Sequence, residues 1–210
     1  MKQLFSVDGP IMTALGQVTS FITLSLLWLL CCLPVITIGV STSALYYVTL
    51  KMARGEGEGI VKLFFRALKD NLKNGIIFSV LFCLAGAVLY LDYSVMLQMP
   101  GALGTVLRVV FLALGFFSLI IMFYTFPLQA QFVNTVRGTL KNAFLLSLGN
   151  VRTTLVLLVV HAAPLLVLFL SLENLLKFLP LLILLLPGLI AYICSVQLMK
   201  VFKPLMENAE

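Results

Sequence analysis

The side chains able to do chemistry are few, and they fall into three sets. His161, the only histidine, stands in VVHAAPLL near the middle of a hydrophobic block. Lys62, Arg66, Lys69 and Lys73 recur at spacings of three and four in IVKLFFRALKDNLKN. Asn71 and Asn150 each stand just before a long apolar run. An ionisable group at membrane depth is a functional candidate by default, as a proton relay or a ligand to substrate. His161 has no acidic partner at comparable depth, since Asp92 and Glu173 lie at block ends. The reading it supports is a neutral, hydrogen-bonded structural histidine beside Pro164, which leaves the Val160 carbonyl without its usual donor. The four basic residues offer point charges for lipid phosphates or for docking a partner. The asparagines suit hydrogen bonds between helices.

Little else points to a reaction. Cys31, Cys32, Cys83 and Cys194 form no CxxC or Cys/His pattern and read as small apolar helix residues. Glu56 and Glu58 lie in ARGEGEG, a solvated turn rather than a phosphate loop, because no GxxxxGK[ST] pattern is present. Nucleophile elbows, HExxH sites and paired carboxylates are absent from the sequence. The expectation is therefore no catalytic residue, no metal, no cofactor and no enzymatic activity. Arg108, about one turn inside its block, is placed to snorkel to headgroups.

These residues must be positioned by membrane helices. Of 210 residues, 61% are apolar and 10% charged, and mean hydropathy is +1.13, far from a soluble domain with about a quarter of its residues charged. The chain reads as one membrane domain over 1–210. MKQLFSVDGPIM lacks the pattern of a removable signal peptide. Five hydrophobic blocks stand out, at 11–50, 75–95, 103–127, 153–172 and 178–199. The first is too long for one crossing, which takes about 20 residues. Pro34 breaks it and Gly39 adds a second weak point, giving a broken pair within 11–54, its pieces about 11–33 and 40–54. Gly39, Ser41, Thr42, Ser43 and Ala44 predict that the second piece is buried against other helices. The fold class is thus all-α and polytopic, with about six membrane-embedded pieces, the last four within 75–199.

Lysine and arginine set the orientation. Lys51, Arg54 and the four basic residues above cluster in 51–74; Arg137, Lys141 and Arg152 fall in 128–152; Lys200 and Lys203 begin the tail, 200–210. The turn at 92–102 has Asp92 and no basic residue, and that at 172–177 has Glu173 with Lys177. The positive-inside rule places both basic loops and the C-terminus in the cytoplasm, and the N-terminus with them if the first block crosses twice. That rule also explains a pI of 9.3 without nucleic acid. Within 55–74 the basic residues and Val61, Phe64, Phe65, Leu68 and Leu72 occupy separate faces, predicting an amphipathic helix on the inner membrane surface that runs on into the next crossing.

Residues 54–76 and 137–155 suggest a parallel internal repeat. With a four-residue gap Arg54-Gly55 aligns with Arg137-Gly138, Phe65 with Phe144, and Asn71-Leu72-Lys73 with Asn150-Val151-Arg152. Asn71 and Asn150 would then be equivalent, each at the start of its crossing.

The run LLWLLCCLPVITIGVSTSALYYVTLKMARGEG, residues 26–57, followed by FFRALKDNLKNG at 64–75 and NTVRGTLKNAFLLSLGN further on, resembles the YesL family, a bacterial membrane domain of unknown function. The resemblance implies a protein of the plasma membrane of Gram-positive bacteria, frequently encoded beside carbohydrate ABC importers and sensor kinases. It implies an accessory or assembly role in carbohydrate uptake, with permease or ATPase subunits as partners besides the lipid bilayer, and supplies no catalytic residues. A small solute transporter or channel in its own right is the alternative.

Overall fold

In a computed structural model, the structure describes residues 10–170 and 172–207, and side chains at 15–164, 166 and 183–207. Among the described residues the chain is all-helical, in the order α1 (Pro10–Cys31), α2 (Ile38–Ala53), α3 (Ile60–Asp70), α4 (Leu72–Leu97), α5 (Gly101–Gln131), α6 (Val136–Gly149), α7 (Val151–Leu170) and α8 (Leu172–Glu207).

The break at Pro34 is where the sequence places it. α1 ends at Cys31, one 3-10 turn covers Val35–Thr37, and Thr37 Oγ1 donates to the carbonyls of Cys31 and Pro34 at 2.7 Å, closing the corner. Gly39, however, weakens nothing. It lies inside α2, where a Cβ would sit 2.6 Å from Ser79 Oγ and 2.7 Å from the Gly75 carbonyl, and a Cβ on Gly75 would sit 2.8 Å from Val40 Cα. The two glycines let α2 and α4 cross backbone against backbone, and the Gly39 N–H donates to Ser79 Oγ at 2.8 Å.

α2 is the centre of the bundle. It packs against α1, α3, α4, α5 and α8, and Val40, Ala44, Val48 and Leu50 along it are fully buried. The same logic recurs where α1 meets α8: the Gly188 N–H donates to Ser25 Oγ at 2.9 Å, and Phe21 lies against Tyr192.

The outward faces of α4 and α5 are apolar. Leu84, Leu103 and Leu112 are 61%, 68% and 60% exposed, a surface suited to contact with lipid. Among the described residues four helices are long and apolar enough to cross a membrane: α2 with its preceding turn, α4, α5, and α8 from Ile183. The pair α6 and α7, bent by 99° at Asn150, makes a fifth span if counted as one. The chain is a polytopic helical membrane protein.

Several boundaries shift. The expected loop 128–152 is mostly α6, and the expected tail from 200 continues α8 to Glu207. The expected turn at 172–177 is already helical, since α8 begins at Leu172; the side chains of Glu173 and Lys177 fall outside the described residues, as do Asp8 and the N-terminus.

Candidate functional site

The helical reading of IVKLFFRALKD is met by α3, but its faces differ from the expected two. Phe64 and Ala67 are buried in the core, with Ile60, Leu63 and Leu68 packed against it, and α3 lies on α1 and α2. Val61 and Phe65, expected on one apolar face with Phe64 and Leu68, are 47% and 49% exposed, and Leu72 is 39% exposed. α3 therefore has three sectors at helical spacing: an inner stripe held by the bundle, an apolar flank of Val61 and Phe65, and a basic face of Lys62, Arg66 and Lys69. That is the cross-section of a helix lying in a membrane interface, with protein on one side, acyl chains beside it and water over it. The sequence pattern could show that apolar residues shared a side, but not that protein and lipid divide it between them.

Nor does α3 run on into the next crossing. Asn71 separates it from α4, so Lys73 belongs to the first turn of α4 rather than to the stripe on α3. All four basic residues are exposed. The one ion pair among them, Arg66 to Asp70 at 3.9 Å with side chains 73% and 66% exposed, contributes little.

Asn71 and Asn150 occupy matching joints. Each is the single residue between a short helix and a long one. Each uses Nδ2 to donate to the carbonyl four residues back, Asn71 to Ala67 at 2.9 Å and Asn150 to Leu146 at 3.0 Å. Their main-chain N–H groups bond to those same carbonyls, and their own carbonyls accept from Gly75 and Thr154. Asparagine suits the position because its short amide reaches back to the same carbonyl as its main-chain N–H and gives that carbonyl a second donor at the end of the helix.

Counting back from each asparagine, Phe65 and Phe144 correspond and are 49% and 42% exposed, while Phe64 and Ala143 correspond and are fully buried. The further alignment of Arg54-Gly55 with Arg137-Gly138 fails. Arg54 closes α2, whereas Arg137 lies in the first turn of α6, about one turn nearer to its joint. The informative positions are those that differ. Where α3 exposes Arg66 and Lys69, α6 exposes Leu145 and Leu148, 53% and 50% accessible.

Polar groups inside the bundle tie these joints to the long helices. Gln129 of α5 accepts from Ser43 of α2 at 3.0 Å and donates to the Asn71 carbonyl at 3.2 Å. Tyr124 of α5 bonds to Thr154 of α7 at 2.9 Å, and the Thr154 hydroxyl also donates to the Ser147 carbonyl at 2.8 Å. Thr49 and Ser195 share a hydrogen bond of 2.8 Å between α2 and α8. Sequence reasoning passed over Gln129 and Tyr124. A glutamine next to the apolar end of the third block was the signal for the first; nothing marked the second.

The turn ARGEGEG is more than solvated. Glu56 faces Lys51 and Arg54, each at 3.5 Å, and Arg54 Nη1 donates to Gln131 Oε1 at 3.2 Å, joining the ends of α2 and α5. Arg108 turns back towards the start of α5, its Nε on the Gly104 carbonyl at 3.1 Å.

His161 stands apart from both joints. Its Nδ1 lies 2.8 Å from the Leu157 carbonyl, one turn before the Val160 carbonyl that Pro164 frees, and 3.9 Å from Cys194 Sγ. Its ring stacks on Phe123 with centroids 4.1 Å apart. The four cysteines are free thiols, and no cluster of three His, Cys, Asp or Glu side chains occurs among the described residues.

A family model described as protein of unknown function, DUF624, matches residues 21–93. The chain is also 29% identical over 143 residues to the uncharacterized protein YteU of Bacillus subtilis (strain 168), a match covering 66% of this chain and 64% of that one. It thus spans less than two thirds of the length of that curated relative. No solved structure matches. The family match begins within α1 and covers the break at Pro34, α2, α3 and most of α4, the same stretch that carries LPVITIG and the first asparagine joint; over residues 21–93 the chain is similar to the DUF624 family.

Proposed function

We propose that this chain is a non-enzymatic accessory or assembly component of a carbohydrate ABC-type uptake system, and that its docking surface is the basic face of α3 with Lys73 beside it. One observation supports docking above all. The same joint is built twice, and only the first copy carries Arg66 and Lys69, where the second exposes Leu145 and Leu148. The asparagine bond at the end of the short helix therefore does not need those charges, which supports recognition of a partner as their role. In this reading the protein is a multi-pass component of the plasma membrane of a Gram-positive bacterium, with the basic end of the bundle and both termini in the cytoplasm. The sugar-uptake setting comes from the YesL resemblance, and the partners would be permease or ATPase subunits.

The test is co-purification from native membranes. Wild-type protein should bring down ABC permease or ATPase subunits, and Arg66→Glu with Lys69→Glu should lose them while inserting with unchanged topology. Undiminished partner yield in the double variant would leave α3 as an interfacial anchor only. The duplicated joint also supports a second reading, a small transporter built from a parallel repeat. Sugar uptake by the purified chain alone in liposomes would favour it.

A further inference from the structure

At the basic end a cavity of about 260 Å³ opens between the first asparagine joint and the connector from α5 to α6. Its polar lining is Tyr47 of α2, Asp70, Asn71 and Asn74 around the joint, Gln129 and Gln131 of α5, and Asn134 of the connector. Five of these seven are carboxamides. We propose that this cavity binds a small uncharged cyclic polyol, the size of a single sugar ring.

The chemistry of the lining selects that class. A carboxamide offers both donors and acceptors, the pairing that adjacent hydroxyls present in return. Gln129 is already fixed by Ser43 and by the Asn71 carbonyl, so its remaining N–H is held in place before a ligand arrives. Asn71 is likewise anchored through one N–H to Ala67, which leaves its Oδ1 and second N–H. Asn74 and Asn134 spend no side-chain hydrogen bond on the protein among the described residues.

Charged ligands fit less well. The one ionised group of the lining, Asp70, repels anions and already faces Arg66 at 3.9 Å. A zwitterion would need a cation in the lining as well, and for a metal the lining offers a single carboxylate and no cluster of three His, Cys, Asp or Glu side chains among the described residues. The volume lies below the roughly 300–1,000 Å³ of sites for drug-sized ligands, which limits the occupant to one ring.

The cavity lies between two parts of the fold, with Gln129 bonded to the Asn71 carbonyl at its side. A ligand there would bridge the end of α3 to the connector leading into α6. This inference stands whether or not α3 docks a partner, because its readout is binding by the isolated chain.

The experiment is thermal unfolding of the full chain in detergent, titrated separately with D-glucose, D-xylose and myo-inositol, with glycine as a zwitterionic control. At least one cyclic polyol should raise the melting temperature along a saturable curve, as preferential binding to the folded state requires. Asn74→Leu with Asn134→Leu should abolish that saturable shift while leaving the unliganded melting temperature in place. If the double variant does not fold, Asn134→Leu alone, in the connector, should still weaken binding at least tenfold. A shift that rises without saturating is the general effect of an osmolyte and would overturn the proposal. So would a saturable shift that survives the substitutions, an equal response to glycine, or no response to all three polyols.

Discussion

α3 and α6 end alike, on an asparagine whose amide reaches back to the carbonyl four residues before it, yet the surfaces they turn outward are opposites. α3 presents Lys62, Arg66 and Lys69 beside the apolar flank of Val61 and Phe65; α6 presents Phe144, Leu145 and Leu148, with Arg137 and Lys141 towards its start. The long helices beyond the joints differ too. Four residues past Asn71 stands Gly75, against the backbone of α2; four past Asn150 stands Thr154, bonded to Tyr124. The asparagine-to-carbonyl bond is common to both halves, and the side chains around it decide whether a crossing is sealed by contact or by a polar bond, and whether the short helix turns leucine or charge outward.

The strongest way to break the comparison is to exchange the residues four past each asparagine. Gly75→Thr sets a Cβ 2.8 Å from Val40 Cα and 2.9 Å from its backbone nitrogen, which no rotamer change can relieve. It should destabilise the protein by about 3 kcal/mol or more, as severe overpacking does. Thr154→Gly removes the bond to Tyr124 and adds the helix cost of glycine, about 1 kcal/mol each, for a loss of about 2 kcal/mol. Thermal or denaturant unfolding in detergent measures both. Equal losses would mean that the crossings are sealed in the same way.

A smaller effect tests the likeness itself. Asn71→Ala and Asn150→Ala each delete one amide-to-carbonyl bond, of 2.9 and 3.0 Å. Each should cost about 1 kcal/mol, and the two costs should agree within about 0.5 kcal/mol. A silent change at one joint and a large one at the other would reduce the resemblance to coincidence of sequence.

How much of this could be read from the sequence follows from which signals are local. Pro34 removes a donor wherever it stands, so the break in the first block was legible, and so was the burial of α2 from its run of small residues. Helical period also exposed α3. It could not say which apolar residues face protein, because lipid and protein select the same side chains; hence Phe64 and Phe65 were expected on one face, and only Phe64 is buried in the bundle. Gly39 carries the same ambiguity, since a break in a helix and a close crossing both call for a residue without a Cβ, and only the position of Gly75 decides between them. The polar cavity was hidden for another reason. Tyr47, Asn74, Gln129 and Asn134 come from separate parts of the chain, and no spacing connects them.

The finest test transfers the second half's surface to the first. Arg66→Leu with Lys69→Leu gives α3 the residues that α6 exposes at the matching positions. Both side chains lie outside the packed stripe of α3, and the one ion pair lost, to Asp70, is long and open to solvent. Stability in detergent should therefore change by less than about 0.5 kcal/mol, as for most surface substitutions. Topology should hold as well, because Lys51, Arg54, Lys62 and Lys73 remain near the same membrane boundary and the positive-inside bias counts charges rather than their arrangement. If the stripe is a docking face, partner recovery should nonetheless fall as far as it does with the two glutamates, because what is removed is the recognised group and not merely its sign. If recovery instead survives leucine and fails only with glutamate, the partner avoids negative charge without needing positive charge at Arg66 and Lys69. The two short helices would then differ in what surrounds them rather than in what they recognise.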